Sequence, residues 1–238
     1  MCRRRMAGVV LIMLFSSCVA FGCSCRNGPP IQRTSERYRD RAVFTAHVIQ
    51  LMGRIYNWDG KRLSSQVLAI VRERYWGLPW YWPRVVLLDG SYPCDIAMAE
   101  GEDYLVSGRR ERYGILAVNL CSRTQPLATA QVDLRTLDGS HCAGPGGTII
   151  GHVRRGTDRL KDNPSAANVT LRYRGPDGKT YATRSDGDGI YEVQHLRGGV
   201  YAIDSQTDQN QLVFSLLFSP QATVVEGTCT ENDILIGQ

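Results

Sequence analysis

Six of the eight cysteines, at positions 23, 25, 94, 121, 142 and 229, constrain this chain of 238 residues more than any other feature. What they mean depends on the compartment, and so on the residues before them. Arg3, Arg4 and Arg5 are followed by an apolar run, MAGVVLIMLF (6–15), too short to span a bilayer core comfortably. Ala20-Phe21-Gly22 then gives a small-x-small pattern. Residues 1–22 read as an export signal cut after Gly22. A second reading makes the leader a lipoprotein signal, with Cys18 or Cys23 as the acylated first residue. Neither has the usual aliphatic residue three places before it. Contact with a membrane is expected only through that lipid.

An even number of cysteines in an exported chain reads first as disulfides. Spacing alone does not choose the pairs. Cys23-Ser24-Cys25 is too tight for a zinc knuckle, and His47, His141 and His152 show no ligand spacing, so neither a metal nor a cofactor is expected. From residue 23 onward there are 25 basic against 23 acidic residues, a net charge of +2. That balance gives no support for nucleic-acid binding, which wants a concentrated basic stripe. The length suits two small domains better than one.

The pattern of the chain is mainly all-β. Residues 42–51, 65–77, 84–90, 103–110 and 114–121 read as five strands, the last two as a hairpin. Residues 126–137 read as a closing helix, and a second short helix is expected just before the first strand. Five strands with a closing helix predict a small closed, five-stranded OB-like barrel of the Greek-key kind. CAGPGG (142–147) punctuates the chain, with residues 143–147 as the linker. Beyond it, short runs at 148–156, 167–175, 180–186, 189–196, 199–205 and 233–238 alternate with turn signals, which predicts an antiparallel β-sandwich over 148–238.

The first part, residues 23–142, resembles the netrin-like module shared with the tissue inhibitors of metalloproteinases, of which compact exported versions occur in bacteria. The resemblance is carried by Cys-Ser-Cys at the cut, VFTAHV (43–48), ERYWG (73–77), YLV (104–106) and CSRTQPLA (121–128), and above all by cysteine placement. The family joins its first cysteine to one some seventy residues on, and the cysteine two places later to one nearly a hundred on. Here Cys94 lies 71 residues after Cys23, and Cys121 lies 96 after Cys25. The resemblance therefore implies the pairs Cys23–Cys94 and Cys25–Cys121. It leaves Cys142 to face Cys229. The second part resembles the carboxypeptidase regulatory-like, or transthyretin-like, sandwich. The residues that carry this are SDGDGIYEVQHLRGGVYAI (185–203). That module has no catalytic residues. Asp186-Gly-Asp-Gly189 also invites a calcium reading, but Arg197 stands where an EF-hand needs its glutamate, and a plain turn is the better expectation.

In the inhibitors, the α-amine and carbonyl of the first cysteine clamp the catalytic zinc of the target protease. The resemblance implies that role for Cys23. Ser24 would enter the pocket beside the metal, with Tyr92 and Pro93 alongside. The competing reading is that Cys23 and Cys25 only staple the terminus to the barrel. WGLPWYWP (76–83) gathers Trp76, Trp80, Tyr81 and Trp82 in an expected loop, either an exposed contact surface or a plug over the barrel end. No nucleophile elbow, zinc-protease helix or phosphate loop is present in the sequence, and no enzyme is expected. The acidic run EGED (100–103) reads as a solvated turn. The function expected is a non-catalytic interaction or assembly role at the cell envelope, periplasmic or secreted, with a protein partner. The alternative is a metalloprotease inhibitor acting through its N-terminus.

Overall fold

The computed structural model describes residues 30–32, 40–53, 55–56, 62–90, 96–137, 141–142, 144–156, 163–204, 206–207, 210–211 and 219–237. Five strands form the first sheet: β1 (Arg41–Leu51), β2 (Gln66–Trp76), β3 (Val85–Asp89), β4 (Asp103–Arg110) and β5 (Ile115–Ala117). Their order is β1-β2-β3-β5-β4, and β4 pairs back onto β1, so the sheet closes. All pairings are antiparallel except β3 with β5. This is the five-stranded OB-type barrel expected from the strand pattern.

Closing so few strands demands strong coiling, and the β1–β2 ladder supplies it. Its register shifts between Val43 and Phe44, between Thr45 and Ala46, and between Val48 and Gln50. Each such irregularity bends the strand and increases its twist. Alternation then fills the interior with Phe44, Ala46, Val48, Val67, Ala69, Val71, Val86, Leu88, Tyr104, Val106 and Leu116. Gly77, at φ +72, ends β2; a Cβ there would lie 2.1 Å from the Arg41 carbonyl oxygen, so only glycine lets the turn press on the start of β1.

After β5 the chain makes a single turn over Leu120–Ser122, a short pairing of Gln125–Pro126 with β4, another turn over Leu127–Thr129, and then helix α1 (Gln131–Thr136). The helix is shorter than the expected 126–137, because Pro126 and Gln125 still belong to the sheet. The apolar spacing is helical nonetheless. Ala130, Leu134 and Leu137, with Leu127 before them, pack on Val43 and Leu105, the outward-facing residues of β1 and β4.

Two larger sheets follow. In one, β6 (Gly147–Arg155) pairs antiparallel with β9 (Ile190–Leu196) and parallel with β12 (Cys229–Glu231) and β13 (Ile234–Ile236). In the other, the order is β8 (Thr180–Arg184), β7 (Thr170–Arg174), β10 (Gly199–Ile203), β11 (Gln221–Val224), all antiparallel. Strands β11 and β12 and the two parallel pairings had no counterpart in the sequence reading. The core between the sheets includes Ile149, Val153, Leu171, Tyr173, Tyr191, Tyr201, Val224 and Ile234. Its buried polar atoms are paired. The Tyr173 and Tyr191 hydroxyls lie 2.6 Å apart, Asn232 Nδ2 donates to Tyr173 Oη at 3.0 Å, and Tyr191 Oη donates to the Asn232 carbonyl. Gly151 is required where β12 turns into β13: a Cβ there would meet the Asn232 carbonyl oxygen at 2.1 Å.

Helix α1 lies between the barrel and the β6–β9 sheet. Its Val132 packs with Ile150, Ile190 and the Cys142–Cys229 disulfide. The bridge closes a separation of 87 residues, worth about 4–5 kcal/mol in the chain-entropy account.

Candidate functional site

The aromatic stretch divides between core and solvent. Trp76 belongs to β2 rather than to a loop; it lies against the α1 cluster, whereas Trp82 lies against the barrel core. Leu78, buried between them in sequence, joins the barrel core too. Trp80 and Tyr81 do the reverse, at 87% and 69% exposed, in an edge-to-face pair with centroids 5.9 Å apart. Arg74 fixes this arrangement. Its Nη1 donates to the carbonyls of Pro79 (2.7 Å) and Trp80 (2.8 Å), and its Nη2 donates to that of Trp82 (2.9 Å). The Trp82 N–H donates to the Pro79 carbonyl at 3.0 Å and closes the turn. The loop is thus anchored at both ends and braced from beneath, with two large rings held in water. Rings so exposed contribute little to folding.

The β4–β5 turn adds to the same end of the barrel, because β3 and β5 start side by side (Leu87 opposite Ile115). Its Tyr113 is 96% exposed and left-handed, at φ 64. A bulky non-glycine residue adopts that backbone at some energetic expense.

Below this tip runs a flank of aliphatic side chains. Alternation turns Leu68 and Ile70 outward from β2, and Val85 and Leu87 outward from β3, while their neighbours fill the barrel. Register places Ile70 opposite Val85, Leu68 opposite Leu87, and Leu87 opposite Ile115. All five keep part of their surface in water, Val85 as much as 45%. On the same face stand Arg72, next after Ile70 in the outward row of β2, and Asp89, next after Leu87 in that of β3, whose carboxylate accepts from Gln66 Nε2 at 3.3 Å. Arg109 is held by Glu111, Nη2 to Oε1 at 2.7 Å.

A buried ionic group, invisible to sequence reasoning, ties the barrel to the β6–β9 sheet. Asp133 of α1 is fully buried; it accepts from Ile31 N–H (2.6 Å), Arg123 Nε (2.8 Å) and Gln125 Nε2 (2.5 Å). The same Arg123 grips Glu231 of β12 through both terminal nitrogens, Nη2 to Oε1 at 3.0 Å. Burial works against the Arg123 charge, but Glu231 and Asp133 outweigh it and hold the guanidinium well above its ordinary pKa. Gln32 pairs with the Cys229 backbone in both directions, at 3.1 and 3.2 Å. Asp186, the first residue of the acidic turn, accepts from the N–H groups of Asp188 and Ile190 and from Arg135 of α1. Its carboxylate closes the turn and joins the two parts. No signal in the sequence separates Arg123 or Asp133 from ordinary surface charges, because Glu231, the second carboxylate that Arg123 holds, lies about a hundred residues from it.

The Cys142–Cys229 bridge is present. Cys121 is also disulfide-bonded; its expected partner Cys25 lies outside the described residues. So do Cys18, Cys23, Ser24, Tyr92, Pro93 and Cys94, on which the zinc-clamping reading and the lipid reading depend.

Comparison with known proteins gives no family model and no curated protein that matches this chain. Among solved structures, a candidate carbohydrate-binding protein from Pseudomonas aeruginosa is 12% identical, covering 42% of this chain and 94% of its own, with a TM-score of 0.25. The Bacillus anthracis TIE protein is 8% identical over 83% of this chain and 34% of its own, TM-score 0.31. The minor pilin GBS52 of Streptococcus agalactiae is 11% identical over 89% and 85%, TM-score 0.31. At these scores the likenesses carry no argument about this chain.

Proposed function

We propose that this protein is an exported, non-catalytic binding protein with an assembly role at the cell envelope, and that the Trp80–Tyr81 tip is where it meets a protein partner. The observation that carries the reading is the pair of exposed rings on a loop that Arg74 braces through three backbone carbonyls. A loop ordered in advance loses little conformational freedom on binding, and aromatic anchors dominate protein contacts. The OB-type strand order supports a netrin-like module over 23–142. The two sheets packed on one core support a transthyretin-like module over 148–238, joined to the first by the linker 143–147. Disulfide bonding at Cys142 and Cys229 supports an oxidising compartment.

The test is site-specific photocrosslinking in the cells that make the protein. A photoreactive phenylalanine analogue at position 81 should yield a discrete adduct with another protein. The same analogue at Lys179, exposed on the second part, should not. Absence of an adduct from position 81, or equal adducts from both positions, would sink the reading.

A further inference from the structure

We propose that the outward face of the β8-β7-β10-β11 sheet binds an acidic polysaccharide, whose uronate carboxylates pair with Arg174 and Arg184, with Arg172 between them, and whose hydroxyls meet Thr180 and Asp204. The site is separate from the aromatic tip and does not depend on it.

Alternation decides which side chains reach this face. Leu171 and Tyr173 of β7, and Tyr201 and Ile203 of β10, are buried in the core between the sheets. Their neighbours Arg172, Arg174 and Ala202 therefore point the other way, and all three are exposed. Register puts Thr180 of β8 and Ala202 of β10 on either side of Arg174, and Ala182 beside Arg172. Arg184, opposite Thr170, lies diagonally from Arg172. The three arginines thus form a line, with a step of about 7 Å along β7 and one of about 7–8 Å across to β8. The outward rows of the four strands carry no acidic residue. The Arg174 guanidinium has no ion pair among the described residues, and Arg184 spends its Nε on the Asn168 carbonyl at 3.1 Å. Strand β7 is held between β8 and β10, so the arginine backbones are fixed before a ligand arrives. Small neighbours leave room beside them. A cleft of about 390 Å³ is lined by Arg172, Arg174, Thr180, Ala202, Asp204 and Pro220, a size within the ordinary range of ligand sites.

The lining selects the ligand. A guanidinium takes a carboxylate through two parallel N–H bonds. Asp204, in the same cleft, repels a bare polyanion but accepts from hydroxyl groups, and the Thr180 hydroxyl both donates and accepts. Carboxylates and many hydroxyls on one chain are the marks of a uronic-acid polymer, and a linear polymer repeats its charges as the arginine line does. A protein partner wants large apolar or aromatic anchors; among the described residues these outward rows offer Val200 as their one large apolar side chain. Single-stranded nucleic acid wants rings to stack on, and no aromatic side chain stands in these rows.

The experiment is calorimetric titration of the exported protein with oligomers of galacturonate and of mannuronate, with their methyl esters, and with polyphosphate of similar length. The esters keep the hydroxyls without the charge; polyphosphate keeps the charge without the hydroxyls. At least one uronate oligomer should bind, and its ester and polyphosphate should each bind at least about tenfold more weakly. Arg174→Gln with Arg184→Gln, at exposed positions, should weaken the uronate by at least about tenfold while the urea midpoint stays unchanged. Arg84→Gln with Arg110→Gln, exposed on the barrel, should leave the affinity as it was. Failure of both uronates to bind, equal binding of an ester or of polyphosphate, or equal losses from the two double variants would each overturn the proposal. None of these outcomes bears on the Trp80–Tyr81 contact, which the position-81 adduct tests by itself.

Discussion

On one flank of the barrel Val43 and Leu105 are fully buried beneath Ala130, Leu134 and Leu137; on the other, Leu87 and Val85 occupy equivalent outward positions and stay partly in water. The strands are built alike, apolar on both faces. What makes one outward row into core is a second element laid over it. An apolar residue pointing out of a closed barrel is thus a statement about a cover, which the chain supplies on one side only among its described residues. The arginines divide the same way. Arg123, on the covered side, is spent on two carboxylates; Arg74, beneath the tip, braces backbone carbonyls; Arg84 and Arg110 are exposed and hold no carboxylate among the described residues.

The contrast can be broken most forcefully at Arg123. Arg123→Ala leaves the buried Asp133 carboxylate without its cation, and should lower stability by about 3–5 kcal/mol in urea unfolding. Arg84→Ala should stay within about 0.5 kcal/mol. Next come the flanks themselves. Leu105→Ala, in the covered row, should destabilise by about 2–4 kcal/mol, and Leu87→Ala by less than about 1, measured on the same denaturant scale. Equal losses would mean that the two rows are covered alike.

A third prediction concerns pH on the covered side. Asp233, between β12 and β13, has its carboxyl pushed up to about 7, by burial first and by repulsion from Glu231 second, against the His152 N–H that donates to it. With the folded-state value above the unfolded one, the native protein keeps a proton that the unfolded chain has lost. The stabilisation is full below about pH 4 and fades as pH rises towards 7. Stability should therefore decline across that window, and Asp233→Asn should flatten the decline in unfolding midpoints taken at successive pH values. The smallest effect belongs to the tip. Trp80→Ala with Tyr81→Ala should change stability by no more than about 0.5 kcal/mol while removing the crosslinking partner. A large loss of stability would make the rings a structural plug instead.

Much of the barrel was legible because its strands alternate cleanly and end in recognisable turns. The expected bounds 42–51, 65–77, 84–90 and 103–110 fall within one residue of the observed ones at each end. The fifth strand was read too long: only Ile115–Ala117 pair, and Leu120 onward turns away to reach α1. Strands β11 and β12 are four and three residues long, and β12 finds its partner β6 some eighty residues back, where no local periodicity points. At the tip, composition located the aromatic cluster. Whether each ring faces core or solvent depended on Arg74, which reads as one more surface cation until its three carbonyl partners are in place. The Arg123 group was illegible for the same reason on a longer scale.

The Cys142–Cys229 bridge has a mechanical meaning as well. Suppose tension is applied between the barrel and the final strand β13. The load passes from Cys142 straight to Cys229, and the 86 residues between them are never pulled. Roughly 290 Å of chain is thereby withheld from extension. A pull of that kind would leave β7 to β11 slack inside their loop and fall instead on the short β12–β13 segment, on Gln32 and on the grip of Arg123.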